Sequence, residues 1–163
     1  MITLDNISKS FTLHNQGGVT IQVIKRASFF VDSGECVALT GKSGTGKSTL
    51  MRIVYGNYLS ESGTVLVNGV DISRAPPQEI IKIRRYTLGY VSQFLRTLPR
   101  VSTLYVVSEP MLQKGMDEKD ALDKSAQLLE RLNIPEKLWP LSPLTFSGGE
   151  QQRVNIARSF AVH

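Results

Sequence analysis

Eight consecutive residues carry the densest chemistry in this chain: Gly41-Lys42-Ser43-Gly44-Thr45-Gly46-Lys47-Ser48. They fit the spacing of a phosphate-binding loop, glycine, four residues, then Gly-Lys-Ser. The glycines permit positive φ and let successive backbone N–H groups close around phosphate oxygens with no β-carbon in the way. A helix opening near Lys47 would aim its unpaired N–H groups and its positive end at the same anion. In such a loop Lys47 reaches the β- and γ-phosphates of a nucleotide, and the Ser48 hydroxyl binds Mg²⁺. A glycine-rich turn that merely precedes a helix would read alike. The apolar run Val37–Thr40 before the loop and the helical pattern from Lys47 to about Tyr55 supply the strand–loop–helix context that phosphate chemistry needs.

A second small-residue turn stands at Ser147-Gly148-Gly149-Glu150, followed by Gln151-Gln152-Arg153. A serine hydroxyl and glycine N–H groups at a helix N-terminus again form an anion site. The same four residues also spell a capping box, Ser147 with Glu150 three residues later, and by itself that plainer role would be the better bet.

Elements must hold these turns in place. Residues 1–35 alternate short β-branched runs, Ile2–Leu4, Val19–Ile24 and Phe29–Val31, with breaks at Gly17-Gly18 and Asp32-Ser33-Gly34, which predicts strands joined by tight turns. Thr64–Val67 before Asn68-Gly69 predicts a hairpin. Leu88–Ser92 predicts a second buried strand, and Gln78–Arg85 a helix. Beyond Gln93 the period becomes helical, over Leu104–Gly115 and Glu118–Leu132, with Asp117 as N-cap of the second stretch. Pro135, Pro140 and Pro143 interrupt it before a last helix from about Gly149.

With 163 residues, 41% hydrophobic and 20% charged, the chain has the composition of one globular domain. It holds no apolar run long enough to span a membrane, and its first residues lack the pattern of a signal peptide, so a cytoplasmic location is expected. A net charge of +5 suits anionic ligands, although most of these charges are expected to be a solvated surface. The single cysteine, Cys36, adjoins the apolar run and is expected to be a buried, inert thiol.

The order of phosphate loop, glutamine after a strand, helices, and Ser-Gly-Gly-Glu-Gln-Gln-Arg resembles the ATP-binding cassette superfamily. Phe146–Glu150 is similar to that superfamily's Leu-Ser-Gly-Gly-Gln signature, with Phe for Leu and Glu for Gln. The resemblance implies an α/β fold, a P-loop NTPase of the ABC type with an N-terminal antiparallel β subdomain and an inserted α-helical subdomain. On that plan 1–93 hold the β subdomain and phosphate-loop core, 94–148 the helical subdomain and 149–163 the signature helix. It implies ATP and Mg²⁺ as ligands, with Phe11 stacking on adenine, Gly41 to Thr49 around the phosphates (Thr49 included), and Ser48 and Gln93 at the metal. Ser147, Gly148, Gly149 and Glu150 would cover the γ-phosphate held by another cassette, so the partner is a homodimer mate or an equivalent cassette, in head-to-tail arrangement. Neither nucleic acid nor direct membrane insertion is implied.

Three segments, Val54–Leu59, Val91–Arg96 and Leu132–Trp139, together with Phe146–Arg158, look like the PhnL-type ATPase subunits of the carbon–phosphorus lyase system of phosphonate metabolism. That narrower resemblance implies docking on the carbon–phosphorus lyase core complex. A transporter ATPase of the lipoprotein-export type, which shares Phe94 after the glutamine, is the alternative, with a membrane partner docking near Leu95–Val107. A non-catalytic nucleotide-binding assembly module is the third reading. In the superfamily the residues that cleave ATP follow the signature helix, an apolar strand ending in Asp-Glu and then a histidine. Here Arg158 is followed only by Ser159-Phe160-Ala161-Val162-His163, and neither His163 nor His14 suits the histidine's role. The expectation is a C-terminally truncated sequence without a catalytic residue or the C-terminal part of the core sheet.

Overall fold

A long antiparallel hairpin opens the chain. In the computed structural model, which describes residues 1–161, strand β1 (Ile2–Leu13) turns through a 3₁₀ segment, His14–Gln16, and returns as β2 (Val19–Val31). The register runs from Ile2 opposite Val31 to Leu13 opposite Val19. It shifts between Leu4 and Ser10, where Asn6 (φ 51°) and Arg26 (φ 46°) take left-handed conformations. The runs Val19–Ile24 and Phe29–Val31 are therefore one strand bent at a bulge, because an extra residue kinks a strand without ending its ladder. Strands β3 (Ser62–Val67) and β4 (Val70–Asp71) add to β1, giving the order β2-β1-β3-β4. Asn68 (φ 47°) and Gly69 (φ 80°) make the two-residue turn that the Asn-Gly pair predicts.

Helix α1 (Lys47–Val54) buries Leu50, Ile53 and Val54, the i, i+3, i+4 stripe of an amphipathic helix. Helix α2 (Pro77–Tyr86) starts on a proline, whose missing N–H costs nothing in the first turn, and buries Ile80 and Ile83. These residues join Leu4, Ile7, Ile24, Val65, Val67 and Ile72 in one core. Arg84 reaches across from α2, donating to the Tyr55 carbonyl (3.0 Å) and to Asn57 Oδ1 (2.8 Å) while lying over the Tyr55 ring. The chain end of α1, and through it the loop at its start, is thus fixed from outside.

This unit spans Met1–Leu88, and a second unit begins at Gly89. There α3 (Thr103–Gln113), α4 (Glu118–Arg131) and α5 (Gly148–Phe160) pack around Val106, Val107, Leu129, Ile134, Phe146, Val154 and Ala157. Ser102 and Asp117 cap the first two helices, accepting from Tyr105 N–H (3.3 Å) and Lys119 N–H (2.9 Å). Trp139 donates its indole N–H to the Ile134 carbonyl (2.9 Å), closing the proline-rich connection into a compact loop.

Two sequence expectations need correction. Val37–Thr40 and Leu88–Ser92 form no strand, since neither pairs with a neighbouring strand among the described residues, and a strand exists only as part of a ladder. An apolar run marks a backbone that could be covered on both faces, not one that is. Val37 is accordingly 42% exposed, and Cys36 beside it is exposed rather than buried. His163 lies outside the described residues. No helix among those described is long and apolar enough to cross a membrane.

Candidate nucleotide-binding site

The loop Gly41–Gly46 is shaped by its own backbone. Thr45 donates its hydroxyl to the Lys42 carbonyl (2.9 Å), and Gly46, with φ 89°, is the left-handed N-cap of α1. A β-carbon at Gly46 would stand 2.8 Å from the Val23 carbonyl oxygen on β2, so the sheet itself reserves this position for glycine. Lys47 folds back over the loop. Its ammonium donates to the Gly41 carbonyl (2.8 Å) and the Lys42 carbonyl (2.7 Å), with Thr45 Oγ1 at 3.5 Å. One positive charge, glycine-lined backbone and a helix N-terminus therefore converge at one exposed loop, and such groups suit a polyphosphate. Ser48, exposed on the first turn of α1, is placed for a metal that also touches the phosphates. Among the described residues, no three His, Cys, Asp or Glu side chains gather to hold a metal by themselves.

Phe11, in the same unit, is half-buried on β1 opposite Ile21. Its ring meets Tyr58 edge to face at 5.4 Å, and Lys9 lies 5.3 Å from its centroid. Gln93 and Ser147–Glu150 belong to the second unit. Gln93 is exposed between Ser92 and Phe94.

Ser147 is the N-cap of α5, and both halves of the capping box are present. The Ser147 hydroxyl donates to Glu150 Oε2 (2.6 Å), as does the Ser147 backbone N–H (2.9 Å), while Glu150 N–H reaches the hydroxyl oxygen at 3.4 Å. The hydroxyl expected to meet a phosphate is thus already engaged in the cap. The two donors from Ser147, helped by Arg153, hold the Glu150 carboxyl below its ordinary value of 4.5. A depressed carboxyl contributes stability fully above its unfolded value and loses it as the pH falls through the folded one. The acid limb of the melting-temperature profile below pH 4.5 should therefore be shallower for Glu150→Gln than for the parent chain. Identical limbs in calorimetric scans would show that the box has no such linkage.

The sequence reading missed Asn155, Arg158 and Ser159 on α5, which hydrogen-bond to the segment around Gln93. The available signal was Asn155 itself, an amide between the core positions Val154 and Ala157.

The fold is that of an α/β nucleotide-binding cassette with a glycine-rich loop at the start of its first helix. The family description "ABC transporter" matches residues 24–163, and the chain belongs to the ATP-binding domains of that family. It is 35% identical over 159 residues to the uncharacterized ABC transporter ATP-binding protein YvrO of Bacillus subtilis, covering 98% of this chain and 68% of the relative. It is 36% identical to the lipoprotein-releasing system ATP-binding protein LolD of Shewanella frigidimarina, of which it spans 65%. It is also 36% identical to the macrolide export ATP-binding/permease protein MacB of Campylobacter fetus, of which it spans 24%. Among solved structures, the cassette MJ0796, described as a dimer bound to ADP and Pi, superposes with a TM-score of 0.90 at 28% identity, covering 99% of this chain and 70% of that one. These relatives are transporter cassettes. The narrower expectation of a carbon–phosphorus lyase subunit gains no support from them.

Proposed function

We propose that this chain binds Mg-ATP and forms one half-site of a head-to-tail cassette pair, as the cytoplasmic ATP-binding subunit of an export-type transporter. The observation that carries the reading is the Lys47 ammonium poised on the rim of a glycine-lined loop at a helix N-terminus. On this reading Gly41–Thr49 hold the phosphates, Ser48 and Gln93 serve Mg²⁺, Phe11 stacks on adenine, and Ser147–Glu150 meet the γ-phosphate of the partner cassette. Bound Mg²⁺ supplies charge neutralisation at the phosphates, and the chain's own part is to grip and orient them. The dimeric cassettes that this chain resembles support the pairing.

A permease partner is favoured by one surface in the second unit. A groove of about 760 Å³ is lined by Arg96, Leu98, Val101, Tyr105, Glu109 and Arg158, with Phe94 exposed nearby. It is largely apolar with charged rims, as a docking site for a protein segment should be.

Ser147→Ala should leave ATP affinity unchanged and abolish the Mg-ATP-dependent dimer in sedimentation velocity. An intact dimer would remove the signature from the interface. A second reading, the ATPase of the carbon–phosphorus lyase system, rests on the resemblance of Val54–Leu59 and Leu132–Trp139. Capture separates the two. The chain should be retained by a detergent-solubilised export permease, and retention by the soluble lyase core complex alone would decide for the second reading.

A further inference from the structure

Helix α5 does more than present a capped serine. Two turns beyond the cap, Asn155 is only 5% exposed, and its single side-chain nitrogen gives its hydrogens to one residue: the Ser92 carbonyl at 2.6 Å and Ser92 Oγ at 3.2 Å. Ser92 Oγ donates in turn to the Phe94 carbonyl at 2.6 Å. Gln93 therefore stands between two carbonyls that are both held, with its own side chain on the exposed side.

The neighbours of Asn155 on the same helix face extend the mount. Ser159 Oγ lies 3.2 Å from the Tyr90 carbonyl and 2.9 Å from the Asn155 carbonyl. Arg158 donates to the Arg96 carbonyl (2.8 Å) and pairs with Glu109 (2.6 Å), so its guanidinium is itself oriented. Positions 155, 158 and 159 have the i, i+3, i+4 spacing of one face, and each takes a main-chain carbonyl from 90–96. That segment has no strand ladder to fix it. Its backbone is instead hung from α5.

We propose that Asn155 is a positioning residue for Gln93: it fixes the Ser92–Phe94 backbone and so sets the glutamine amide for its role at Mg²⁺. The inference rests on the assignment of Gln93 to the metal given above. Asn155 touches neither nucleotide nor metal in this account; it acts only through the Ser92 carbonyl and hydroxyl that it holds.

The test uses the full 163-residue chain and four variants, Asn155→Ala, Gln93→Ala, the pair, and Ser92→Ala. Two quantities are read, amide hydrogen exchange of peptides covering 90–96, and the ratio of ATP dissociation constants without and with Mg²⁺. Asn155→Ala should accelerate exchange in that segment and shrink the Mg²⁺ advantage roughly fivefold, as loss of one buried hydrogen bond would. In the Gln93→Ala background the same change should shrink the ratio no further, since both act through one side chain. A general loss of packing would weaken ATP binding equally with and without the metal. Ser92→Ala, which leaves α5 intact, should move both quantities in the same direction and serves if Asn155→Ala does not fold. The proposal is overturned if Gln93→Ala lowers the ratio while Asn155→Ala and Ser92→Ala do not, or if the double variant loses more than Gln93→Ala alone. If Gln93→Ala leaves the ratio unchanged, the metal assignment itself fails and takes this inference with it.

Discussion

Lys47→Ala should cost this chain about two orders of magnitude in ATP affinity. The ammonium faces a polyphosphate in the bound state, and charge-assisted hydrogen bonds of that kind contribute roughly 1.5–3 kcal/mol each. Before ATP arrives it is already partnered, by the Gly41 and Lys42 carbonyls. The net gain is therefore a difference between two sets of bonds, and about two to three such kilocalories, or roughly a hundredfold, is what remains. Titration calorimetry with ATP would measure it, alongside a thermal melt to establish that the variant folds. Because the bonds of the half-buried lysine lie at the surface and its carbonyl partners can turn to water, the melt should move little. Unchanged ATP affinity in a folded variant would refute the phosphate-loop reading.

The second large effect is steric. In Gly46→Ala the new methyl would sit 2.8 Å from the Val23 carbonyl oxygen and 3.1 Å from Val23 Cγ1, on a backbone with φ 89°. The Val23 carbonyl sits at an irregularity of the ladder, but the pairs on either side of it, Lys9 with Ile24 and Ser10 with Gln22, limit how far it can yield. Left-handed backbone alone costs an L-residue roughly 1–2 kcal/mol, and the overlap adds strain, so a loss of about 2–4 kcal/mol in stability is expected. Gly44→Ala is the internal comparison, with φ 83° but open space around its β-carbon, and should show only the smaller backbone part. Urea unfolding of the two variants measures the difference. Equal losses would mean that the contact between loop and sheet does not constrain Gly46.

What could be seen in the sequence was what local chemistry decides. The glycine-rich turn that opens α1, the Asp117 cap, the Ser147–Glu150 box and the Asn68-Gly69 turn each need only a handful of adjacent residues, and each stands where the sequence predicts. What failed depended on partners remote in the chain. Val37–Thr40 has the composition of a buried strand, yet no neighbouring ladder, so Val37 and Cys36 lie open. The bulge that fuses Val19–Ile24 with Phe29–Val31 turns on Arg26 adopting positive φ, which no propensity scale foretells. Asn155 could be read as out of place on an apolar face, but its partner 63 positions away could not. The choice among relatives was hard for a related reason. Segments such as Leu132–Trp139 lie outside the superfamily motifs, which say nothing about them.

The hold of Lys47 on its own loop has a kinetic consequence. An ammonium in water must shed a hydration shell before it meets an anion, whereas this one has already exchanged part of that shell for two carbonyls, 2.8 and 2.7 Å away. An incoming phosphate exchanges one set of oxygens for another, and the same swap in reverse re-seats the lysine when the phosphate leaves. The loop carries its own competitor for the site, so release is as well provided for as capture.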